Sequence, residues 1–499
     1  MKIKSIIKTC VLAILLISHH ACQKYYPMVP PPTISEDDDL DAEFGGGSPY
    51  FATVYGAGTM DGSSWDNAMD AQGLRDLLTN YVNLSQKPVY VSEGVYVMSE
   101  VEGEGLTISK DISCVKGGFS SSSTGTDISK YSPSEYMTIF SGDVNKNSKA
   151  DQGDCTLIKL TGGKVTFEGC RFSCGYLDQT LAETLKGLIG AGIYINGTPS
   201  ATSFTAVDCE FVDNISDVAG NNGAVAGGPC ALVYSGYFKA RDCRFINNLS
   251  ANSTNAGGRG GALRTNNDAG CIFLDRCVFS GNKVNHRFGA AIQLTGGHLC
   301  VNNSTFAKNV SANGGYGVVN GNGSVLVVNS TILSSGDPDT DVAIRYEGEK
   351  NAGSVIVNSV IGSERSSGFG FEVNNDNKSV TSAGGNVFHN IRYGDNNNLS
   401  NTVFSTIGTD KIVSALNGSI QDDCYVFDPE ELGIAEFSSV QAITDAVKSF
   451  DPKRSNFTYA ALGLEFYTWV GDTGFMVDQR GQARNIEKMM PGAYDSNLN

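Results

Sequence analysis

The stretch Phe204-Thr-Ala-Val-Asp-Cys209-Glu-Phe211 is one copy of a phrase that recurs along the middle of the chain and decides its fold. The recurrence is visible in the residues at the centre of each copy, which are Cys170, Cys209, Cys243, Cys277, Ser304, Ser330 and Ser359. Successive centres lie 39, 34, 34, 27, 26 and 29 residues apart. A period of this size is typical of a solenoid, in which each unit buries its apolar face by stacking on its neighbours.

Each phrase predicts two short strands with a corner between them. Apolar side chains stand five and three residues before the central residue, at that residue, and two residues beyond it. Alternate residues of a strand face the same way, so the two apolar pairs are out of phase by one residue, and a bend must separate them. The bend falls on residues that include Asp, Asn and Gly, which tolerate such corners: Glu168-Gly169, Val207-Asp208, Arg241-Asp242, Asp275-Arg276 and Asn302-Asn303. A strand, a corner and a second strand that return about every 30 residues indicate one rung of a parallel β-helix.

Two further columns follow from stacking these rungs. Four phrases continue as Phe-x-x-Asn, and in stacked rungs their phenylalanines would form one internal column and their asparagines another, at a turn: Asn214, Asn248, Asn282 and Asn309. Amides in such a column can hydrogen-bond along the axis.

The repeat argues against disulfide bonds for four of the cysteines. The chain has 13 Cys, and exported proteins commonly form disulfides. However, Cys170, Cys209, Cys243 and Cys277 share one internal column in which Ser later replaces Cys. Their Cβ atoms would point the same way in register, which is poor geometry for bridging. We therefore predict a stack of small buried thiols, and we expect Cys174 and Cys230, which lie off this column, to pair or react.

The repeat also resembles a known family. Gly260-Gly261-Ala262-Leu263 together with Phe-x-x-Asn is similar to the repeat of polymorphic outer-membrane proteins and of right-handed parallel β-helix lipoproteins from Bacteroides-type bacteria. The resemblance covers roughly residues 50–495 and includes an opening segment from Tyr55 to Ala68 and a closing segment, Gly492-Ala-Tyr494. It implies an all-β right-handed parallel β-helix with a short N-terminal helical cap and an irregular C-terminal region. It implies no single activity, because a fold does not determine function.

The N-terminus predicts export and a lipid anchor. Lys2 and Lys4 precede an apolar run that is too short to cross a bilayer, which is typical of a signal peptide spanning residues 1–21. Cys22 directly after Ala21 resembles a lipoprotein cleavage site, which implies a lipid-bearing Cys22. Residues 22–48 contain three consecutive prolines and the acidic run Glu36 to Asp39, and this composition predicts a disordered tether. The expected location is the cell outer membrane, on its periplasmic or extracellular face.

The rest of the chain divides into three predicted parts. Residues 49–84 would supply an N-terminal strand and a helical cap, with the helix over Asp70 to Val82. Residues 85–400 would form about ten coils of β-helix. Residues 401–499 would form an irregular region that closes the helix and packs on its end or side, with an amphipathic stretch from Val440 to Phe450.

Charge restricts the expected partners. Removal of residues 1–21 takes away three lysines and leaves 33 basic and 53 acidic residues, a formal charge of −20. That balance argues against nucleic acid and against anionic polysaccharides held by bulk electrostatics. We expect a glycan or a host or cell-surface protein as partner, contact with the membrane through the lipid anchor alone, and a monomer.

Charged side chains next to the Cys column are the candidates for catalysis. Asp208, Asp242 and Arg276 lie on one side of the column, and Arg171, Glu210 and Arg244 lie on the other. Of these, Asp208, Asp242, Arg244 and Arg276 could serve a polysaccharide lyase, which needs a cationic base, or a glycoside hydrolase, which needs paired carboxylates. We favour a solvated ladder of salt bridges, because exposed ion pairs are common and individually weak.

One loop has the oxygen spacing of a calcium site. Its candidate ligands occupy positions one, three, five, nine and twelve: Asp143, Asn145, Asn147, Asp151 and Asp154. The glycine expected at position six is missing, and Asp replaces Glu at position twelve. We favour an ordinary acidic loop, and we expect no cofactor other than this calcium alternative.

Three functions remain open. The leading hypothesis is a non-catalytic, adhesin-like envelope lipoprotein whose lateral face binds a glycan or a host-surface partner. The second is a polysaccharide lyase or glycoside hydrolase acting on extended chains, and the third is a structural protein of the envelope. Carboxylates or an Arg–Asp cluster converging in a groove would favour the enzyme.

Overall fold

The computed structural model describes residues 48–80, 84–184, 190–219, 227–252, 258–286, 288–312, 317–335, 341–346, 353–373, 380–393, 409–416, 418–421, 424–427, 439–452, 461–484 and 489–493. The predicted signal peptide, Cys22 and nearly all of the predicted tether lie outside these residues. No helix in the described part of the chain is both long enough and apolar enough to cross a bilayer.

Four stacks of short strands, here called sheets 1 to 4, form the body of the molecule. Sheet 1 contains Tyr50–Ala52, Val89–Ser92, Ile112–Phe119, Lys164–Glu168, Ser203–Val207, Ala231–Arg241, Gly270–Asp275, His298–Asn302, Ser324–Val328, Ser354–Val357 and Val380–Ser382. Sheet 2 contains Gly94–Val97, Thr138–Ser141, Cys170–Ser173, Glu210–Val212, Arg244–Ile246, Val278–Ser280, Thr305–Ala307, Thr331–Ser334, Val360–Ser363, Val387–His389 and Lys411–Val413.

The other two sheets complete each coil. Sheet 3 is short and contains Tyr176–Asp178, Ile215–Asp217, Leu249–Ser250, Lys283–Val284 and Val310–Ser311. Sheet 4 contains Leu106–Ile108, Ile158–Leu160, Ile193–Asn196, Leu263–Thr265, Ile292–Leu294, Val319–Gly321, Val342–Tyr346, Phe369–Val373, Ile391–Tyr393 and the first part of Ala231–Arg241. A separate antiparallel hairpin joins Gly418–Gln421 to Cys424–Phe427.

The chain visits these sheets in a fixed order. One coil runs through Ser203–Val207 in sheet 1, Glu210–Val212 in sheet 2 and Ile215–Asp217 in sheet 3, and it then enters Ala231–Arg241, which passes from sheet 4 into the next rung of sheet 1. Neighbouring rungs pair in parallel within each sheet. Parallel strands connected in this way cross over in the right-handed sense that twisted strands favour. The fold is therefore a right-handed parallel β-helix, which confirms the predicted fold class.

The corner between sheets 1 and 2 has one backbone conformation in rung after rung. Its residues have positive φ values between 47° and 62°: Gly169, Asp208, Asp242, Arg276, Asn303, Asn329 and Asn358. Gly, Asn and Asp adopt this left-handed conformation most readily. It turns the chain by the one-residue phase shift that the repeated phrase requires, so the side chains on both sides of the corner stay in register.

The interior is built from stacked columns of identical residues. Phe211, Phe245, Phe279 and Phe306 follow one another with ring centroids 4.9, 4.3 and 4.4 Å apart, an offset stacking that adds to their apolar burial. The thiols of Cys170, Cys209, Cys243 and Cys277 are free and buried. Each donates to the carbonyl two residues earlier, as Cys243 Sγ does to Arg241 O at 3.1 Å, and Ser304 Oγ makes the equivalent bond to Asn302 O at 2.8 Å.

The asparagine column forms a hydrogen-bonded ladder. The Nδ2 group of Asn214 donates to Asn248 Oδ1 at 3.0 Å, Asn248 donates to Asn282 at 2.9 Å, and Asn282 donates to Asn309 at 2.9 Å. Each amide also donates to a backbone carbonyl, as Asn248 does to Phe211 O at 2.9 Å. These side chains are fully buried, and their partners satisfy the polar groups that burial removes from water.

The N-terminal helix packs against the first rungs. Helix α1 spans Ala71–Asn80, within the predicted range of Asp70 to Val82. Its Leu74, Leu77 and Leu78 are buried in the same apolar cluster as Ala52 and Leu106. The helix therefore covers core side chains of the first coils, where a solenoid would otherwise expose its apolar interior.

Short helices complete the described structure. Helix α2 spans Gln179–Thr184, α3 spans Val440–Lys448, and α4 spans Leu462–Val470, while single 3₁₀ turns occupy Trp65–Asn67 and Thr473–Phe475. Helices α3 and α4 pack on the outer surface of sheet 1, where they bury residues such as Phe273, Leu326 and Val328. These two helices thus lie along the side of the β-helix.

The two cysteines expected to pair or react differ from each other. Cys174 is disulfide-bonded. Cys230 is a free, fully buried thiol, and burial raises the pKa of this group well above its ordinary value. The expectation that Cys230 would pair or react was wrong, because a thiol held away from water is a small apolar group and not an accessible nucleophile.

Removing one amide of the ladder tests how much the column stabilises the coil. We expect Asn248→Ala to lower the free energy of unfolding by roughly 2–4 kcal/mol, because the buried backbone N–H and side-chain amide of Asn214 would both lose their acceptor, Asn248 Oδ1. Urea unfolding measures this loss. Asn196→Ala, at an exposed position at the end of a strand, is the matched control, and an equally small effect of both substitutions would contradict a stabilising ladder.

Candidate functional site

A segment that includes Tyr131 and Pro133, here called the N-terminal cover, lies over the early rungs on the outside of sheet 1. Its centre is Tyr131, whose hydroxyl donates to Glu168 Oε1 at 3.0 Å, and Lys116 Nζ lies 3.2 Å from the same carboxylate. Pro133 packs on the corner at Gly169, where a Cβ atom would lie 2.8 Å from Pro133 Cγ. The cover therefore reaches the rung that contains Glu168 and Gly169.

Helices α3 and α4 and the residues up to Gly474, here called the C-terminal cover, lie over the later rungs. Helix α4 reaches the strand Ala231–Arg241 through Glu465, which accepts a hydrogen bond from the Tyr237 hydroxyl at 2.7 Å, and through Trp469, whose carbonyl accepts from Arg241. The guanidinium of Arg241 also lies 5.0 Å from the centre of the Trp469 ring. Further along the axis, Asn303 Nδ2 donates to Gly474 O at 2.7 Å.

Within the part of the chain that the structure describes, one rung lies between the rungs to which the two covers bond, and we call its outer surface the slot. The slot consists of the outward side chains Ser203, Thr205, Val207 and Asp208, all half-buried. Among the described residues, no hydrogen bond or ion pair joins these side chains to either cover. The neighbouring rungs, which carry Glu168 and Arg241, are two rung spacings apart, or about 10 Å. The slot therefore has the width of a single extended chain.

Charged side chains around the corner form a ladder in which most members are paired. Arg276 donates to both oxygens of Asp242 at 2.7 Å and to Asp275 at 3.0 Å. On the sheet 2 side, Arg171 Nε donates to Glu210 at 2.7 Å, and Arg244 Nε lies 3.8 Å from the other oxygen of Glu210.

One ion pair of the ladder is buried, whereas the sequence predicted a solvated face. Arg171 and Glu210 are only 2% and 3% exposed, so their pair is buried. A buried pair is held much more firmly than an exposed one, because breaking it leaves an uncompensated charge away from water.

Asp208 is the exception in this ladder. It accepts no hydrogen bond and forms no ion pair with any residue that the structure describes. Burial raises the pKa of Asp208 to about 8, and the nearby carboxyl groups of Asp242, Glu168 and Glu210 act in the same direction. The side chain is therefore a neutral carboxylic acid at neutral pH, and it lies at the corner end of the slot.

The floor of the slot continues into a lysine on the next rung. Lys239 stands in register with Thr205, its Nζ lies 3.7 Å from Glu465, and it also lies 4.7 Å from the centre of the Tyr237 ring. Burial lowers the pKa of Lys239, and the attraction of Glu465 opposes this shift. The slot thus presents hydroxyl groups, an ammonium group and a carboxylic acid on a narrow floor.

The structure brings three of the four predicted catalytic candidates to this corner in neighbouring rungs: Asp208, Asp242 and Arg276. Arg244 lies just beyond the corner on sheet 2, facing Glu210. Sequence reasoning did not assign Thr205, Lys239 or Tyr131 to this site. The first two occupy outward positions of the sheet 1 strands, which strand alternation could have identified, whereas Tyr131 lies in a segment without the repeat.

The calcium candidates lie together in one loop, where they bond mainly to each other and to loop amides. Asp143 accepts from the backbone amides of Asn147 and Ser148 at 3.0 and 2.8 Å. Asp151 accepts from the side-chain amides of Asn145 and Asn147 at 2.9 and 2.7 Å. Burial and the neighbouring carboxylates raise the pKa of Asp154 to about 6. Within the described residues, no group of three or more His, Cys, Asp or Glu side chains is arranged to hold a metal ion.

Comparisons with known proteins add little to this geometry. No family model matches the chain, and no curated protein matches it. Among solved structures, the crystal structure of pectate lyase Pel9A is similar over 90% of each chain, with 11% sequence identity and a TM-score of 0.36. At that identity and score, the similarity bears on neither the activity nor the substrate of this protein.

Asp208 makes a specific contribution to the pH dependence of stability. Folded Asp208 keeps its proton up to a pH of about 8, whereas an aspartate in the unfolded chain loses it near pH 4. Between these values the folded state binds more protons, so this residue makes the protein less stable as the pH rises. We expect Asp208→Asn to be more stable than the wild type by roughly 1–3 kcal/mol at about pH 8 and by much less at about pH 5.

Thermal or urea unfolding at both pH values measures this difference. Asp76→Asn, on the exposed side of α1, is the control for loss of a surface charge. A stability gain for Asp208→Asn that is the same at both pH values would show that Asp208 is already ionised in the folded protein.

Proposed function

We propose that this protein is a carbohydrate-binding lipoprotein of the cell envelope that holds an extended glycan chain in the slot. The observation that carries the proposal is the uncovered rung between the two covers. The covers bond to the rungs on either side through Glu168, Tyr237 and Arg241, whereas Ser203, Thr205 and Asp208 offer hydrogen-bonding groups between them. Binding sites for small or extended ligands combine such convergent polar groups with apolar walls.

Aromatic side chains at both edges support a sugar ligand. Tyr131 stands at the N-terminal edge and Trp469 at the C-terminal edge, and both are half-buried. Aromatic rings of this kind present an apolar face together with a polar group, which suits the mixed surface of a sugar. Both are held in place by their neighbours, since Tyr131 bonds to Glu168 and Trp469 lies beside Phe273, with 5.8 Å between ring centroids.

The electrostatics favour a neutral glycan over a strongly anionic one. The predicted mature chain carries a formal charge of −20, which repels polyanions at long range. Within the slot region, Lys239 faces Glu465 and Arg241 lies near Asp275, with 3.4 Å between Arg241 Nε and Asp275 Oδ2. Cations that already have acidic partners contribute less to binding an anionic ligand.

Envelope attachment remains a proposal that rests on the sequence. The signal peptide over residues 1–21, the lipid on Cys22 and the tether over residues 22–48 would place the β-helix a short distance from the outer membrane. A glycan on another cell or on a host surface is the partner that such a display suits. No oligomer is needed to complete the slot, since one chain supplies its floor and both edges.

A second candidate, an enzyme that cleaves the bound glycan, is favoured by one observation. The expectation of a non-catalytic face rested on the lack of converging charged residues in the sequence, and the corner brings Asp208, Asp242 and Arg276 together. A lyase would need a cationic base free to accept a proton, but Arg171, Arg244 and Arg276 each face a carboxylate. The neutral carboxyl of Asp208 fits acid catalysis of hydrolysis better.

Filling the slot tests the binding proposal. We expect Thr205→Trp to weaken retention of the bound polysaccharide about tenfold or more, because the large ring would occupy the narrow floor. The measurement is retention of the purified protein on an array of neutral and acidic polysaccharides, followed by titration calorimetry with those that bind.

The matched control is Thr107→Trp, which places the same ring at another half-buried threonine, on a sheet 4 strand. It should bind as the wild type does. Equal binding by both variants would place the ligand elsewhere on the molecule.

A further inference from the structure

We propose that a glycan held in the slot is hydrolysed, with Asp208 donating a proton to the glycosidic oxygen and Asp242 attacking the anomeric carbon as the nucleophile. This inference rests on the proposed carbohydrate binding and adds a reaction and two residue roles to it.

The corner places the two carboxyl groups side by side. Val207 and Arg241 pair across neighbouring rungs, so Asp208 and Asp242, which follow them, are one rung apart, about 4.8 Å along the axis. Their φ values are 48° and 55°, and two side chains on such similar backbones leave the corner in the same direction. A separation of about 5 Å is that of retaining glycosidases, in which one carboxyl group is the acid and the other is the nucleophile.

Their surroundings give the two carboxyl groups different partners. Both oxygens of Asp242 accept hydrogen bonds from the Arg276 guanidinium, a bidentate, charge-assisted pair. Asp208 has no such partner among the described residues, and its pKa of about 8 leaves it protonated at neutral pH. A protonated acid beside a second carboxyl group of this kind fits the acid and nucleophile roles in a hydrolase.

The proposed step balances as follows. The Asp208 proton passes to the glycosidic oxygen while an Asp242 oxygen bonds to the anomeric carbon, and the bond between that carbon and the glycosidic oxygen breaks with its electron pair going to the glycosidic oxygen. A water oxygen then bonds to the anomeric carbon and gives its proton to Asp208, and the bond to Asp242 breaks with its electron pair returning to the carboxylate. Both groups are thereby restored, so the net reaction consumes one water molecule and releases one new reducing end.

The backbone turn alone does not account for the carboxyl group of Asp208. Later rungs have Asn303, Asn329 and Asn358 in the same column with φ values of 47° to 48°. Asparagine therefore satisfies the corner, and its amides can bond along the axis, as Asn358 does to Asn329 at 2.9 Å. A carboxylic acid at the rung between the covers can donate a proton to a bound ligand, whereas an amide cannot.

The test uses the purified full-length chain on soluble xylan, mannan, β-glucan and homogalacturonan. Reducing ends and unsaturated uronate products are measured separately, and retention of each polysaccharide is measured in parallel. Asp208→Asn should fold, because Asn occupies this column elsewhere, and should retain the polysaccharide. We expect it to lose turnover by about a hundredfold or more, the contribution usual for general acid catalysis.

The control is Asp213→Asn. Asp213 belongs to the same coil, has a φ of 55° and is half-buried, but it lies at the next corner, between sheets 2 and 3. This variant should turn over its substrate as the wild type does. The wild-type rate should fall as the pH rises through about 8, where Asp208 loses its proton, and the residual rate of Asp208→Asn should not show this fall.

Four outcomes would overturn the inference. Retention of a polysaccharide without any turnover would leave the binding proposal standing and remove hydrolysis. Unsaturated products would assign a lyase, in which Asp208 is not the proton donor proposed here. Turnover that Asp208→Asn leaves intact would place the reaction elsewhere. Neither retention nor turnover of any of these polysaccharides would contradict both the inference and the proposed function.

Discussion

The positive-φ corner between sheets 1 and 2 is the constraint on which the other features of this molecule depend. It turns the backbone by the same angle in each rung, so that Phe, Cys or Ser, and Asn repeat as straight columns inside the helix. Outside the helix it has the same effect on polar side chains, and a residue type that recurs in the sequence recurs at a spacing of about 4.8 Å. Register at the corner therefore determines both the packing of the core and the pattern of charges on the surface.

Strict register has an electrostatic consequence. Like charges stacked one rung apart repel each other, and the chain meets this problem by alternating Arg with Asp or Glu, as in Asp242 beside Arg276 and Glu210 between Arg171 and Arg244. Asp208 stands where the alternation fails, with Gly169 on one side and Asp242 on the other. Burial without a countercharge then favours its neutral form, and the same arrangement that stabilises the rest of the ladder leaves one acid protonated.

The repeat predicted the coil, but it carried no information about the two covers. The phase shift within each phrase identified the strands, the corner at Asp208 and its equivalents, and the asparagine column, because these features depend on residues close together in sequence. Contacts such as Tyr237 to Glu465 join residues 228 positions apart, and the segments that make them carry no repeat. The burial of Arg171 and Glu210 was equally out of reach, since periodicity determines which way a side chain points and not what lies over it.

One signal in the sequence does reflect where the C-terminal cover ends. A single outward column on sheet 1 runs through Thr166, Thr205, Lys239, Phe273, Cys300 and Leu326. Its early members are polar and suit contact with water, but Phe273, Cys300 and Leu326 are apolar and need burial. Helices α3 and α4 meet that need, and the column changes character at Lys239, the rung where the cover ends. The outward residues of the β-helix thus determine how far the cover extends, and the slot at Thr205 and Asp208 lies immediately beyond that limit.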